Sequence, residues 1–145
     1  MSEPLRVPDD ELDYDENLIY TWHGELFTGT AFENGPDGVV SEVSYVDGSQ
    51  QGPARDLTAD GRLIGEDTYH ENARHGLSRE FDADGRLVRA AWYEYNILVR
   101  SAAADASGEL DWRDEVSAGS AEADLLDRWR RELHWPTPEP SPSAD

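Results

Sequence analysis

Gly52-Pro-Ala-Arg-Asp-Leu-Thr-Ala-Asp-Gly61-Arg62-Leu63 and Gly76-Leu-Ser-Arg-Glu-Phe-Asp-Ala-Asp-Gly85-Arg86-Leu87 are two copies of one phrase, set 24 residues apart. Ala-Asp-Gly-Arg-Leu recurs verbatim. Outward from this pair, Trp22, Tyr45, Tyr69 and Tyr93 follow one another at intervals of 23, 24 and 24 residues. Each of the first three is followed seven positions later by a glycine, with another nine further on: Gly29 and Gly38, Gly52 and Gly61, Gly76 and Gly85. A fixed period of this length is the mark of a repeat architecture, in which each copy is one supersecondary unit.

Within a copy the polarity alternates with period two. Leu77, Arg79 and Phe81 fall on one side, and Ser78, Glu80 and Asp82 on the other. That is strand patterning, and Asp-Gly between two such runs is a hairpin signal. A second turn residue, Gly48 or Asn72, stands three places after Tyr45 or Tyr69, and both residue types tolerate the left-handed backbone of tight turns. The expected fold is mainly β: a single-layer antiparallel meander of repeated β-hairpins of about 24 residues, with one amphipathic helix at the C-terminal end.

The pattern resembles the MORN-repeat family in its divergent bacterial variant, over about residues 20 to 100. The first copy is one residue short, Leu57 stands where the family has an aromatic, and Arg100 takes the glycine position of a decaying fourth copy that runs on through Gly108, Glu109 and Leu110 to Trp112. Degenerate ends are normal where a stack must cap. The resemblance implies a noncatalytic binding protein, because proteins of the variant family include antitoxin and immunity components that block a cognate toxin by direct contact.

Residues 17–115 are read as the repeat domain, flanked by an acidic flexible arm at 1–16, a helix at 117–135 and a disordered proline-rich tail at 136–145. Ser120 is a candidate N-cap, and Glu122 and Asp124 suit the positive end of the helix dipole. Arg128, Arg130 and Arg131 suit the negative end, Leu125, Leu126, Trp129 and Leu133 share a face, and Pro136 stops the helix.

Charge limits the function. The chain has 32 acids against 12 arginines and no lysine, a net charge of −20. Nucleic acid and anionic membranes are bound through basic patches, so neither is an expected partner. Residues 1–48 alone hold 12 acids and one arginine. Asp9, Asp10, Glu11, Asp13, Asp15 and Glu16 crowd the arm and are the candidate partner-binding residues for a basic protein surface, a cognate toxin domain being one such partner. The expected function is an antitoxin-like or immunity-like protein that occludes a basic toxin or effector; the alternative is a general interaction scaffold unrelated to toxins. The start of the chain lacks a secretory pattern and no segment is long and apolar enough to span a membrane, which gives a cytoplasmic expectation. Arginine-only basic usage suits a bacterial, GC-rich coding bias.

Catalytic, cofactor and metal residues are expected to be absent. There is no cysteine, no phosphate-binding glycine loop and no nucleophile elbow. His70 and His75, with Glu71 between them, offer donors of the kind zinc takes. Their counterparts in the preceding copy are Val46 and Gln51, so they read as an ordinary solvated turn. Asp82-Ala83-Asp84-Gly85 has a metal-like look, but Thr58 replaces Asp82 in the earlier copy. Arg55 and Arg79 recur in register and are read as structural ion pairs, with acids on neighbouring strands between them.

Overall fold

The computed structural model describes residues 5–137. The chain is mainly β with one C-terminal helix, and it divides into two compact bodies, Met1–Asn72 and Ala73–Asp145. The dividing point falls inside the segment expected to be one domain. Stacked hairpins contact chiefly their neighbours, so the chain separates at a turn.

In the first body, β1 (Arg6–Pro8) is followed by a 3-10 turn (Asp9–Glu11), β2 (Asp13–Tyr14), β3 (Tyr20–Trp22), β4 (Glu25–Leu26), β5 (Gly29–Asn34), β6 (Val40–Val46), β7 (Ser49–Leu57) and β8 (Leu63–His70). Strands β5 to β8 form an antiparallel meander. Strand β1 lies parallel to β5, Val7 opposite Ala31. Strands β2, β3 and β4 form a separate small sheet. Val7, Phe27, Ala31 and Tyr45 are buried together, with Leu12, Tyr20, Trp22 and Val43 packed around them. The meander itself is the antiparallel sheet expected, with β1 at its edge, and the separate small sheet packs Tyr20 and Trp22 against the core residues of β5 and β6.

The same contacts correct the reading of residues 1–16 as a flexible arm. Val7 and Leu12 are anchors in the core, and burial of such side chains outweighs the mutual repulsion of the acids beside them. Residues 1–4 lie outside the described residues.

In the second body, β9 (Ala73–Arg74) precedes β10 (Gly76–Phe81), β11 (Leu87–Glu94), β12 (Ile97–Ala104) and β13 (Leu110–Asp114), and α1 (Ala121–Leu133) closes the chain. Strands β10 to β13 are again an antiparallel meander. Ala90, Trp92, Tyr95, Ala102 and Leu126 are its buried apolar residues. The register aligns Ala90 with Ala102 and Ala102 with Trp112, so one face of the sheet carries a row of small side chains ending in a large one. The helix is capped as expected: the Ser120 hydroxyl accepts from the Ala123 N–H at 3.1 Å, and the acids of the first turn are Glu122 and Asp124. Of the proline-rich tail, residues 138–145 lie outside the described residues.

The period of the fold is kept by its turns. His23-Gly24, Asp47-Gly48, Glu71-Asn72 and Tyr95-Asn96 each have both residues at positive φ, the signature of the two-residue hairpin turn that follows strand twist. Their second residues fall at 24, 48, 72 and 96. Each later turn also bonds back to a residue two or three places after the preceding turn. Gly48 N–H donates to the Phe27 carbonyl at 2.8 Å, Asn72 N–H to Gln50 at 3.0 Å, and Asn96 N–H to Arg74 at 2.8 Å. By this phase Thr21, not Trp22, matches Tyr45; Trp22 lies in the small sheet and packs on the core from there.

The Asp60-Gly61, Asp84-Gly85 and Ser107-Gly108 turns are of a second kind. Thr58 Oγ1 accepts from Arg62 N–H at 2.9 Å, Asp82 Oδ1 from Arg86 N–H at 2.9 Å, and Asp105 Oδ1 from Glu109 N–H at 3.1 Å. One side-chain oxygen thus braces each loop, which explains why threonine can replace Asp82 and removes the need for a metal there.

Candidate protein-binding surface

The six acids singled out from the sequence sit on this ordered N-terminal frame, and they are not equivalent. Asp15 Oδ1 accepts from the backbone N–H groups of Asn17 and Ile19, each at 2.9 Å, and so holds the turn that reverses the chain into β3. Glu11 Oε1 accepts from the Trp22 indole N–H at 3.4 Å. Asp9, Asp10, Asp13 and Glu16 are exposed and, among the described residues, make no ion pair. Elsewhere in this body two acids, Glu42 and Glu66, are paired with arginine. Arg55 faces Glu42 on one side and Glu66 on the other, bonding Glu66 at 2.5 Å, and Arg6 binds Glu42 at 3.1 Å. Arg55 thus has the structural ion pair expected of it, while Arg79 lies opposite Ala90 with its guanidinium 5.5 Å from the Phe81 ring centre. The densest run of exposed acids in the first body is on the 3-10 turn, β2 and the loop after it.

Exposed apolar side chains accompany these acids. Tyr14 is 65% exposed, Leu18 52%, Leu26 55% and Val46 46%. Leu26 and Ile19 approach each other over Gly48, where an added Cβ would meet Ile19 at 2.8 Å and Leu26 at 3.2 Å. Apolar residues next to charge are the composition of an interface centre and its rim.

A second cluster of chemistry-bearing side chains was not evident from sequence. It lies wholly in the C-terminal body, where His75, Glu94, Tyr95, Arg130, His134, Trp135, Pro136 and Thr137 line an open cleft of about 270 Å³. His75 is buried, which corrects its reading as part of a solvated turn. Its Nδ1 accepts from the Tyr95 N–H at 3.0 Å, so the proton is on Nε2, which donates to the Pro136 carbonyl at 3.0 Å. Arg130 binds the Glu94 carboxylate through two nitrogens at 2.8 and 2.7 Å, and the Trp92 indole donates to the same carboxylate at 2.9 Å. Burial by itself would raise the Glu94 carboxyl; the bonds from Arg130 and Trp92 override it and hold the group below its ordinary value.

With both nitrogens of His75 engaged by backbone, that ring has no lone pair to offer a metal. His70 is engaged by Gln51 Nε2 at 2.8 Å and lies 3.6 Å from Glu71. Among the described residues no group of three potential metal ligands occurs, and no helix is long and apolar enough to cross a membrane. The periodic residues have structural places: Tyr45 is in the core, Tyr69 and Tyr93 are half-buried, and Gly38, Gly61 and Gly85 sit at hairpin tips.

Comparison with protein-family models and with curated proteins returns no match. Among solved structures, a likeness is found to an S. aureus TarM mutant in complex with Fondaparinux, alpha-GlcNAc-glycerol and UDP, at 12% identity and a TM-score of 0.35, covering 59% of this chain and 20% of that one. The likeness carries no functional argument.

Proposed function

We propose that this chain is a noncatalytic, acidic binding protein of MORN-variant type that engages a basic protein surface through its N-terminal face, and that it works as an antitoxin-like or immunity-like protein by occluding a basic toxin or effector. The observation that carries the reading is the placement of Asp9, Asp10, Asp13 and Glu16: four exposed acids, without an ion pair among the described residues, gathered on a folded frame beside exposed Tyr14 and Leu26. Fixed charges steer a partner and set its orientation, while apolar side chains at the centre of a contact slow its dissociation.

The test is capture from lysate of the source cell at low and high salt, using the native chain and a variant with Asp9, Asp10, Asp13 and Glu16 neutralised. The captured protein is then purified and examined by stopped-flow mixing. The reading expects a basic protein, released by salt, whose association is slowed in the variant and whose toxicity on expression alone is suppressed by the chain. A captured protein that binds both forms at one rate, with one salt slope, overturns the acidic-face assignment. A harmless captured protein supports the scaffold alternative over neutralisation.

A further inference from the structure

His75 is a buried imidazole that the proposed binding face does not use, and it joins two elements. From β11 and its turn come Tyr95, whose N–H it accepts, and Glu94; from beyond α1 comes Pro136, to whose carbonyl it donates. Its ring packs 4.8 Å from Tyr95 and 5.1 Å from Trp135, which itself stacks on Tyr95 at 4.8 Å. Trp135 N–H also donates to the Tyr95 hydroxyl at 3.3 Å. The segment after α1 is thus closed on the sheet by one histidine and two aromatic rings.

We propose that His75 is a proton-operated latch, which holds the C-terminal end of α1 on the sheet in its neutral form and releases it on acidification. A second proton must go on Nδ1, and that atom already faces the Tyr95 N–H. Two N–H groups cannot share the position, so the protonated ring has to leave it and gives up the bond to Pro136 as it turns. The closed form therefore belongs to the neutral ring and is lost on acidification, as the second proton is taken up.

The charged and titratable groups around the ring act as follows. Glu94 on β11 favours the proton, and Arg130 on α1 opposes it. The two are bound to each other at 2.7 Å. Arg74 on β9 bonds the Tyr93 hydroxyl at 3.2 Å, and His134 lies in the same cleft at the end of α1. Glu94 is held low and stays ionised as His75 titrates, so the Arg130 contact outlasts the latch. Release begins at the Trp135 end. A helix of 13 residues has little stability once its packing is loosened.

The experiment uses the full chain. Ring nitrogen chemical shifts at pH 7.5 report the tautomer, and amide hydrogen exchange over residues 125–133, corrected for intrinsic rate, is followed at pH 7.5 and 5.5. The expected results are the Nε2–H form at neutral pH and a rise of at least tenfold in corrected exchange on acidification. His75→Gln, which can accept and donate in the same places without titrating, should abolish the rise. His134→Asn, which suits the left-handed backbone there, should retain it. An Nδ1–H tautomer at pH 7.5 overturns the proposal even if the glutamine variant does not fold. So does a rise that survives His75→Gln, or one that His134→Asn removes.

Discussion

Gly52 lies directly across the ladder from Tyr69, and the same pairing recurs as Gly29 with Tyr45 and Gly76 with Tyr93. All three glycines have positive φ, 96°, 154° and 138°, so the repeat couples a backbone state that disfavours side chains to an aromatic on the next strand. Their surroundings separate them. An added Cβ at Gly52 meets only Ser44 at 3.7 Å, whereas at Gly29 it lies 2.5 Å from the Leu5 carbonyl oxygen, the acceptor of the Thr30 N–H. Gly52→Ala should cost about 1–3 kcal/mol from backbone strain. Gly29→Ala should cost more and raise amide exchange in β1. Chemical denaturation of the two variants checks the order, and equal losses would remove the steric argument.

Burial ranks the periodic aromatics. Tyr45→Ala should destabilise by about 3 kcal/mol or more, because a ring packed between Tyr20 and Phe27 is lost from the core. Tyr69→Ala and Tyr93→Ala, at half-buried sites, should cost roughly half as much on the same scale. The denaturation midpoints of the three variants decide whether burial or repeat position sets the loss.

Tyr45 also predicts an alkaline transition. Burial above all, with the neighbouring Tyr20 adding to it, pushes its hydroxyl from 10.0 up to about 12. Its folded-state value is raised, so the stability tied to the neutral phenol is complete below pH 10.0 and is lost as the pH climbs through about 12. Ultraviolet titration should show a late tyrosinate step that Tyr45→Phe removes, together with part of the alkaline loss of stability.

The acids of the N-terminal face should divide into two groups. Asp15→Ala should lower stability by about 1 kcal/mol, since two backbone donors lose their acceptor. Neutralising Asp9, Asp10, Asp13 and Glu16 together should leave stability within about 0.5 kcal/mol and slow association with a basic partner. Thermal melts and salt-dependent association rates separate the groups. A stability loss in the four-acid variant as large as that of Asp15→Ala would mean that these charges serve the fold.

The repeated hairpins were legible because turn chemistry and alternation are local. Asp60-Gly61 and Asp84-Gly85 mark their loops whatever lies around them, and Ser120 marks the start of the helix. Trp22 misphases the first copy by one residue, whereas Gly24, Gly48, Asn72 and Asn96 keep the period of 24. The order of residues 6–14 was hidden for another reason. Val7 and Leu12 stand singly among acids, and a parallel pairing with β5 leaves no local pattern. His75 was hidden by distance, since its acceptor is 61 residues away in a segment that reads as tail. The acidic candidates were visible as charge, but only the structure divides Asp15, which builds a turn, from Asp13, which faces solvent.

The two-residue turns have a further consequence for anyone who would redesign the chain. Gly48 and Asn72 end equivalent turns in the same left-handed state, so residues 49–72 form a cassette whose two ends are interchangeable. A duplicated cassette meets at its junction the backbone geometry that the original already has there. Extra copies of residues 49–72 would begin and end in turn geometry that the chain already uses.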